Sequence, residues 1–350
     1  MPLTRFLYMV DEVIHTFLET LLKRKDITAC YFWISEYYYS GFKKKTWQLL
    51  WKIFYDFYAI KHPKLEAILL QCNVKWLNNK TISPVLSVVK NLFERNPCCA
   101  VFLARISKTS LIHEESPKWL DAFTNKSLAL SIHQGCSIDM SAIPTKELCA
   151  VVLQYFREVR KMSLKKCLWM KIPYKDKKHI ILALIHHLYR DAGKIDLYNK
   201  SLKVSPDDIT WINEINNIPI DPLYKTLPIK RLYSISPTIG CFRLSRFCPQ
   251  YPSMKHLLGF HWQYFASFSP LWKKRFTHAT RNRKNMCMIF ENDDEFEKFH
   301  ELYDYEPDEQ TYEVQGRSIR EIKKCSPREW IRDIFGKDYM KKQLLDIYFE

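Results

Sequence analysis

The sequence predicts a mainly α-helical protein: an N-terminal array of helical hairpins, then a helical C-terminal region with a Pro-rich extended segment and at most a small sheet. Three observations carry that expectation. Glycine is scarce, 7 in 350 residues, against a usual share of roughly 7%. Apolar residues recur at spacings of three and four over long stretches, the mark of a helix with one buried face. Prolines stand at positions that begin or stop helices, where the missing N–H costs little or the preceding residue leaves the α region.

The elements follow in chain order. Residues 6–25 read as an amphipathic helix, with Phe6, Val10, Ile14, Phe17 and Leu21 on one face. Asp26 to Tyr39 aligns Cys30, Trp33, Ile34, Tyr37 and Tyr38, and a second segment aligns Trp47, Leu50, Trp51, Phe54 and Tyr58. Gly41 lies between them, suiting a helix end that requires positive φ, and Pro63 closes the second segment. These aromatics are expected to be core, because rings at helical spacing normally fill interiors. Short helices follow at Leu65 to Trp76, from Ser83-Pro84 through Phe93, and from Pro97 through Arg105.

Residues 108–145 read as a long connection with one short helix, Pro117 to Phe123, and 145–192 return to helix pattern. Asp207 and Asp208 start a helix through Trp211 and Ile215. Six prolines between Pro219 and Pro252 forbid long helices. Helical signal resumes at Met254 to Phe268, and Ser269-Pro270 caps Leu271 to His278. MCMIF reads as a strand, an acidic block spans Glu291 to Glu313, and Trp330 to Phe335 and Tyr339 to Tyr348 form two terminal helices. This punctuation divides the chain into 1–110, 111–218 and 219–350.

The net charge of +16 favours polyanionic partners. It is unevenly spread: residues 1–290 carry 44 Lys and Arg against 21 Asp and Glu, whereas 291–350 carry 10 against 17. The 11 cysteines lack a regular framework, which fits reduced thiols. Asp11 and Glu12 interrupt the N-terminal apolar run, so neither a signal peptide nor a membrane span is expected. G-x-S-x-G, H-E-x-x-H, G-x-x-x-x-G-K-[ST] and G-x-G-x-x-G are all absent, so no catalytic residue is assigned and no cofactor is expected.

Two constellations remain. Cys241, Cys248, His256 and His261 form C-x6-C-x7-H-x4-H, thiolates and imidazoles of the kind zinc takes, but without the tight knuckle of a zinc finger. Cys287 and His278 are reserve ligands. Ordinary buried cysteines and histidines are the favoured reading, so no metal is assigned. The basic run Lys273, Lys274, Arg275, Arg281, Arg283 and Lys284 is interleaved with Trp272, Phe276 and His278, which suits phosphate contacts with base stacking. Lys165 and Lys166 belong to a second basic run. The competing reading is that these are solvated faces, or that the first patch pairs with the acidic block beyond it.

YFWISEYYYSGF with LLWKIFYDFYAIKHPKLE, FHWQYFASFSPLWKKRF and YEPDEQTYEVQ resemble stretches of an uncharacterised protein family of large nucleocytoplasmic DNA viruses, over about residues 27–103 and 237–335. The resemblance implies a viral protein of the infected cell cytoplasm or the virion, with other viral proteins as partners, and transfers no functional residues. The expected function is a non-enzymatic scaffold or adaptor; the alternative is a basic factor that binds DNA or RNA.

Overall fold

In a computed structural model the described residues are 2–59, 61–62, 64–99, 102, 200–217, 260–303 and 327–336. Ten α-helices and one two-stranded sheet are described within them. The expected elements at 108–145, 145–192, 219–252 and Tyr339 to Tyr348 lie outside the described residues.

Helix α1 (Val10–Lys23) lies along α2 (Ile27–Tyr37), and α3 (Lys43–Phe57), α4 (Leu65–Asn79) and α5 (Ser83–Phe93) complete the body. Helix α5 is its hub, touching α1, α2, α3 and α4. It can do so because Val85, Leu86, Val88, Val89 and Leu92 are all fully buried, leaving few polar positions. Pro84 stands in its first turn. Asp26 caps α2 by accepting from the Thr28 and Ala29 N–H groups (2.9 and 3.1 Å). Of the rings expected to be core, Trp33, Tyr37, Tyr38, Trp47, Phe54 and Tyr58 are buried and Trp51 is half-buried against them, while Lys43, Lys44 and Lys45 face solvent.

Helices α2 and α3 meet at a corner made by a π-helical turn, Tyr38–Phe42. Gly41 occupies it at φ +94, which only glycine adopts without strain. A Cβ there would come within 2.7 Å of Pro270 Cβ and 3.1 Å of Leu271 N. Glycine is therefore required twice, by the turn and by the close approach of a distant helix.

Around the N-terminal tip the body buries polar groups in company, although the Tyr31, Ser35 and Tyr58 hydroxyls and the Trp47 indole N–H are buried elsewhere without a hydrogen-bond partner among the described residues. The Arg5 guanidinium meets Glu36 at 3.0 Å through Nη2 and donates from Nε at 3.1 Å, and the Phe6 N–H donates to the other Glu36 oxygen (2.8 Å). The Arg5 N–H donates to Ser40 Oγ (2.7 Å), whose own proton goes to the Glu36 carbonyl. These long-range donors explain why the first helix begins at Val10 and not at residue 6: the tip is held as a turn, with Leu3 bridged to Met9. Asn91 serves as a surrogate backbone group, donating to the Leu202 carbonyl (2.8 Å) and accepting the Leu202 N–H (3.0 Å). Helix α6 (Pro206–Asn217) follows and touches α2.

The C-terminal unit comprises α7 (Trp262–Ala266), α8 (Pro270–Arg275), β1 (Ala279–Asn282), β2 (Cys287–Phe290) and α9 (Asp293–Leu302). Strands β1 and β2 pair antiparallel, Ala279 with Phe290 and Asn282 with Cys287. Only β2 was expected from sequence; helix α8 also stops at Arg275, short of the expected His278, and the chain turns into β1 instead. The unit closes on the body at three points. The Trp272 indole N–H donates to the Thr4 carbonyl (2.8 Å), the Leu3 N–H to the Phe265 carbonyl (3.3 Å), and Pro270 sits on Gly41. Helix α10 (Pro327–Phe335) returns to α1, with Trp330 against Phe102. One apolar core thus runs through both parts. No helix among the described residues is long and apolar enough to cross a membrane.

Candidate nucleic-acid interface

Ser269 starts α8 by accepting the Trp272 N–H (3.3 Å), with Pro270 in the first helical turn. Helical phase then sorts the basic run. Trp272, Arg275 and Phe276, three and four apart, share one side; Lys273 and Lys274 fall on the other and are exposed. Trp272 is 0% exposed and Phe276 5%. The expectation that these two rings stack on bases is therefore corrected: they are the centre of the unit's own core. Trp272 packs against Trp262 (5.5 Å between ring centres) and Tyr303 (5.6 Å), and Phe276 stacks on Phe299 (4.6 Å).

The other cations ride on the hairpin. Asn282 Oδ1 accepts the Lys284 and Asn285 N–H groups (3.0 and 3.2 Å), and Met286 takes a left-handed conformation at φ 50. This closes a loop that projects Arg283 and Lys284 into solvent. Arg281 is exposed, its guanidinium 4.6 Å from the ring centre of Phe268, itself partly exposed. Lys273, Lys274, Arg281, Arg283 and Lys284 make no ion pair among the described residues.

The acidic helix α9 does not neutralise them. Asn292 caps it through the Glu295 N–H (2.9 Å), and Asp293, Asp294 and Glu295 occupy the first turn, where the helix dipole favours negative charge. Glu291 and Glu295 face His278 (3.2 and 3.9 Å), and Glu295 pairs with Lys298 (2.9 Å). The Lys298 ammonium, helped by His278, holds the Glu295 carboxyl below its usual range. Cationic hairpin and acidic helix are thus two separate surfaces over the described residues.

Arg275 is the exception within the run. Half-buried, it lies over the rings of Trp272 and Tyr303, 4.5 Å from each centre. Tyr303 and Arg5 were not singled out by the sequence, and no local signal marks either.

Of the zinc candidates, His261 alone is described; its Nδ1–H donates to the Met286 carbonyl (3.0 Å). Cys241, Cys248 and His256 lie outside the described residues, as do Lys165 and Lys166. The described residues contain no group of three or more His, Cys, Asp or Glu placed to hold a metal ion. Cys287 is a half-buried thiol on β2, and Cys98 and Cys99 are both buried. No protein-family model matches this chain, and neither does any curated protein or any solved structure.

Proposed function

We propose that this chain is a non-enzymatic scaffold or adaptor, its helical body holding out a cationic hairpin that docks on the phosphate backbone of a nucleic acid. The observation that carries the reading is the set of five exposed cations, Lys273, Lys274, Arg281, Arg283 and Lys284, which make no ion pair among the described residues although an acidic helix lies beside them. Lysine and arginine held on a short helix and the hairpin that follows it meet phosphates without first giving up ion pairs of their own among the described residues. With Trp272 and Phe276 committed to the core, base stacking contributes little and sequence preference is weak. The viral setting implied by the resemblance belongs to the same proposal, with other viral proteins as neighbours of the body.

A second reading, docking of an acidic protein, draws on Phe268 and Ile289, exposed at 43% and 51% close to the cations. Fluorescence anisotropy with duplex and single-stranded oligonucleotides of mixed sequence separates the two. The nucleic-acid reading expects binding to both, weakening between 50 and 200 mM salt by a factor on the order of several hundred if all five cations engage phosphates. No binding at 50 mM salt leaves the acidic-protein reading in its place.

A further inference from the structure

Arg275 carries a charge that nothing in its surroundings answers. Its Nη1 is buried without a hydrogen-bond partner, and the side chain makes no ion pair among the described residues. The flanking rings of Trp272 and Tyr303 fix the plane of the guanidinium but accept none of its N–H groups in their own plane. The described carboxylate that acts on it electrostatically is already taken. Glu36 is fully buried, with one oxygen held by Arg5 Nη2 and Nε and the other by the Phe6 N–H. Two guanidinia therefore share one carboxylate, and a positive charge is left over where α8 meets the N-terminal tip. A buried donor without an acceptor is costly, so such a group in a folded protein calls for a missing acceptor.

We propose that Arg275 is the seat for a single phosphate group, with the exposed Lys273 and Lys274 on the other side of the same helix adding only long-range attraction. The planar fork of an arginine matches two oxygens of a phosphate, and ring faces on either side pre-set its orientation. A phosphate dianion suits a place with surplus positive charge and exposed lysines next to it in sequence. The electrostatics agree: burial lowers the Arg275 pKa, with Tyr303 opposing, Arg5 adding to the fall and Glu36 opposing it. The negative charge of an anion in the seat opposes both the burial and the Arg5 effects. The inference rests on the nucleic-acid reading only for the source of the phosphate, a strand or the free ion.

The test is thermal melting of the full chain with inorganic phosphate against sodium chloride at matched ionic strength, followed by a short single-stranded oligonucleotide. Phosphate is expected to raise the melting temperature by about 3 °C at roughly ten times its Kd. Arg275→Gln is expected to melt no lower than the native chain without phosphate, because it removes a buried unanswered charge, and to lose the phosphate response. Arg275→Lys, which keeps the charge and loses the fork, is expected to respond at least tenfold more weakly. A phosphate response unchanged in Arg275→Gln, or none in the native chain, overturns the seat. So does an Arg275→Gln chain that melts well below the native one and keeps its phosphate response, since Arg275 is then a packing group. Oligonucleotide binding equal in the native chain and Arg275→Gln, with the phosphate response lost in the variant, keeps the seat for the free ion, removes a strand as its source and leaves the hairpin reading standing. A phosphate response without oligonucleotide binding keeps the seat, as a site for the free ion, and removes the hairpin reading.

Discussion

The helical body and the C-terminal unit are both rich in aromatic rings, yet they handle charge in opposite ways. The body draws charged groups inside: Arg5, Glu36, Asp56 and Glu66 are buried there, and Tyr55 donates to Glu66 (2.7 Å). The C-terminal unit keeps its acids and lysines at the surface around a ring cluster of Trp262, Trp272, Phe276 and Phe299. The difference follows from element length. Helices of eleven to fifteen residues present wide faces, and polar anchors between them fix which face meets which. The unit is assembled from a five-residue helix, a six-residue helix, two four-residue strands and one ten-residue helix, α9, whose buried residue is Phe299 and whose acids lie outside the core. It has to be held by a few large rings. Charge inside the body is thus structural, whereas the lysines and arginines of the unit's basic run make no ion pair among the described residues.

The sharpest way to break this contrast is at Glu36. Glu36→Ala strands the Arg5 charge and the Phe6 N–H in the interior and is expected to cost about 5 kcal/mol, measured by denaturant unfolding. A cost under about 1 kcal/mol means the tip is not anchored there. Next comes Trp272→Ala, expected to cost about 4 kcal/mol through the lost ring packing and the orphaned Thr4 carbonyl. Were Trp272 a stacking platform for bases, the same substitution leaves stability untouched and weakens binding alone. Gly41→Ala probes the seam between the two regions. With φ at +94 and Pro270 Cβ 2.7 Å from the added carbon, about 2 kcal/mol is expected, and Gly41→Asn should recover none of the steric part.

Alkaline titration gives the smallest effect per group. Burial, aided by Glu36, raises the Tyr8 pKa far above its usual value; burial, aided by Cys30 and opposed by Arg24, does the same for Tyr58. Both groups hold their protons more tightly when folded, so their contribution is complete below the unfolded pKa near 10 and is lost as pH rises beyond it. Each is expected to remove about 1.4 kcal/mol of stability per pH unit above 10. Phenolate absorbance should therefore appear together with unfolding; gradual ionisation in the folded chain contradicts the burial of these rings.

Much of the body was legible because helical periodicity is local. Cys30 and Ile34 on α2, Tyr38 just beyond it and Leu50 and Phe54 on α3 are buried where their spacing puts them, and Gly41 turns the chain where a break was expected. The N-terminal tip was not legible, since the partners that unwind it, Ser40 and Glu36, lie 35 and 30 residues away. Strand β1 was hidden because Ala-Thr-Arg-Asn lacks apolar alternation; it exists through pairing with β2. In the basic run, composition suggested rings beside cations, whereas helical phase separates Trp272 and Phe276 from Lys273 and Lys274. That signal was present in the spacing and outweighed by the wording. Arg275 required three dimensions, because its surplus charge is defined by Arg5 and Glu36 from the far end of the chain.

The most direct measurement is the salt dependence of duplex binding by the native chain and by a Lys273→Gln, Lys274→Gln, Arg283→Gln, Lys284→Gln variant, with both melted in parallel. The account predicts melting temperatures that coincide, since exposed substitutions of this kind change stability within about 0.5 kcal/mol. It also predicts a salt slope shallower by about four in the variant, roughly one for each cation removed. Equal slopes, or a variant that melts well below the native chain, contradict it.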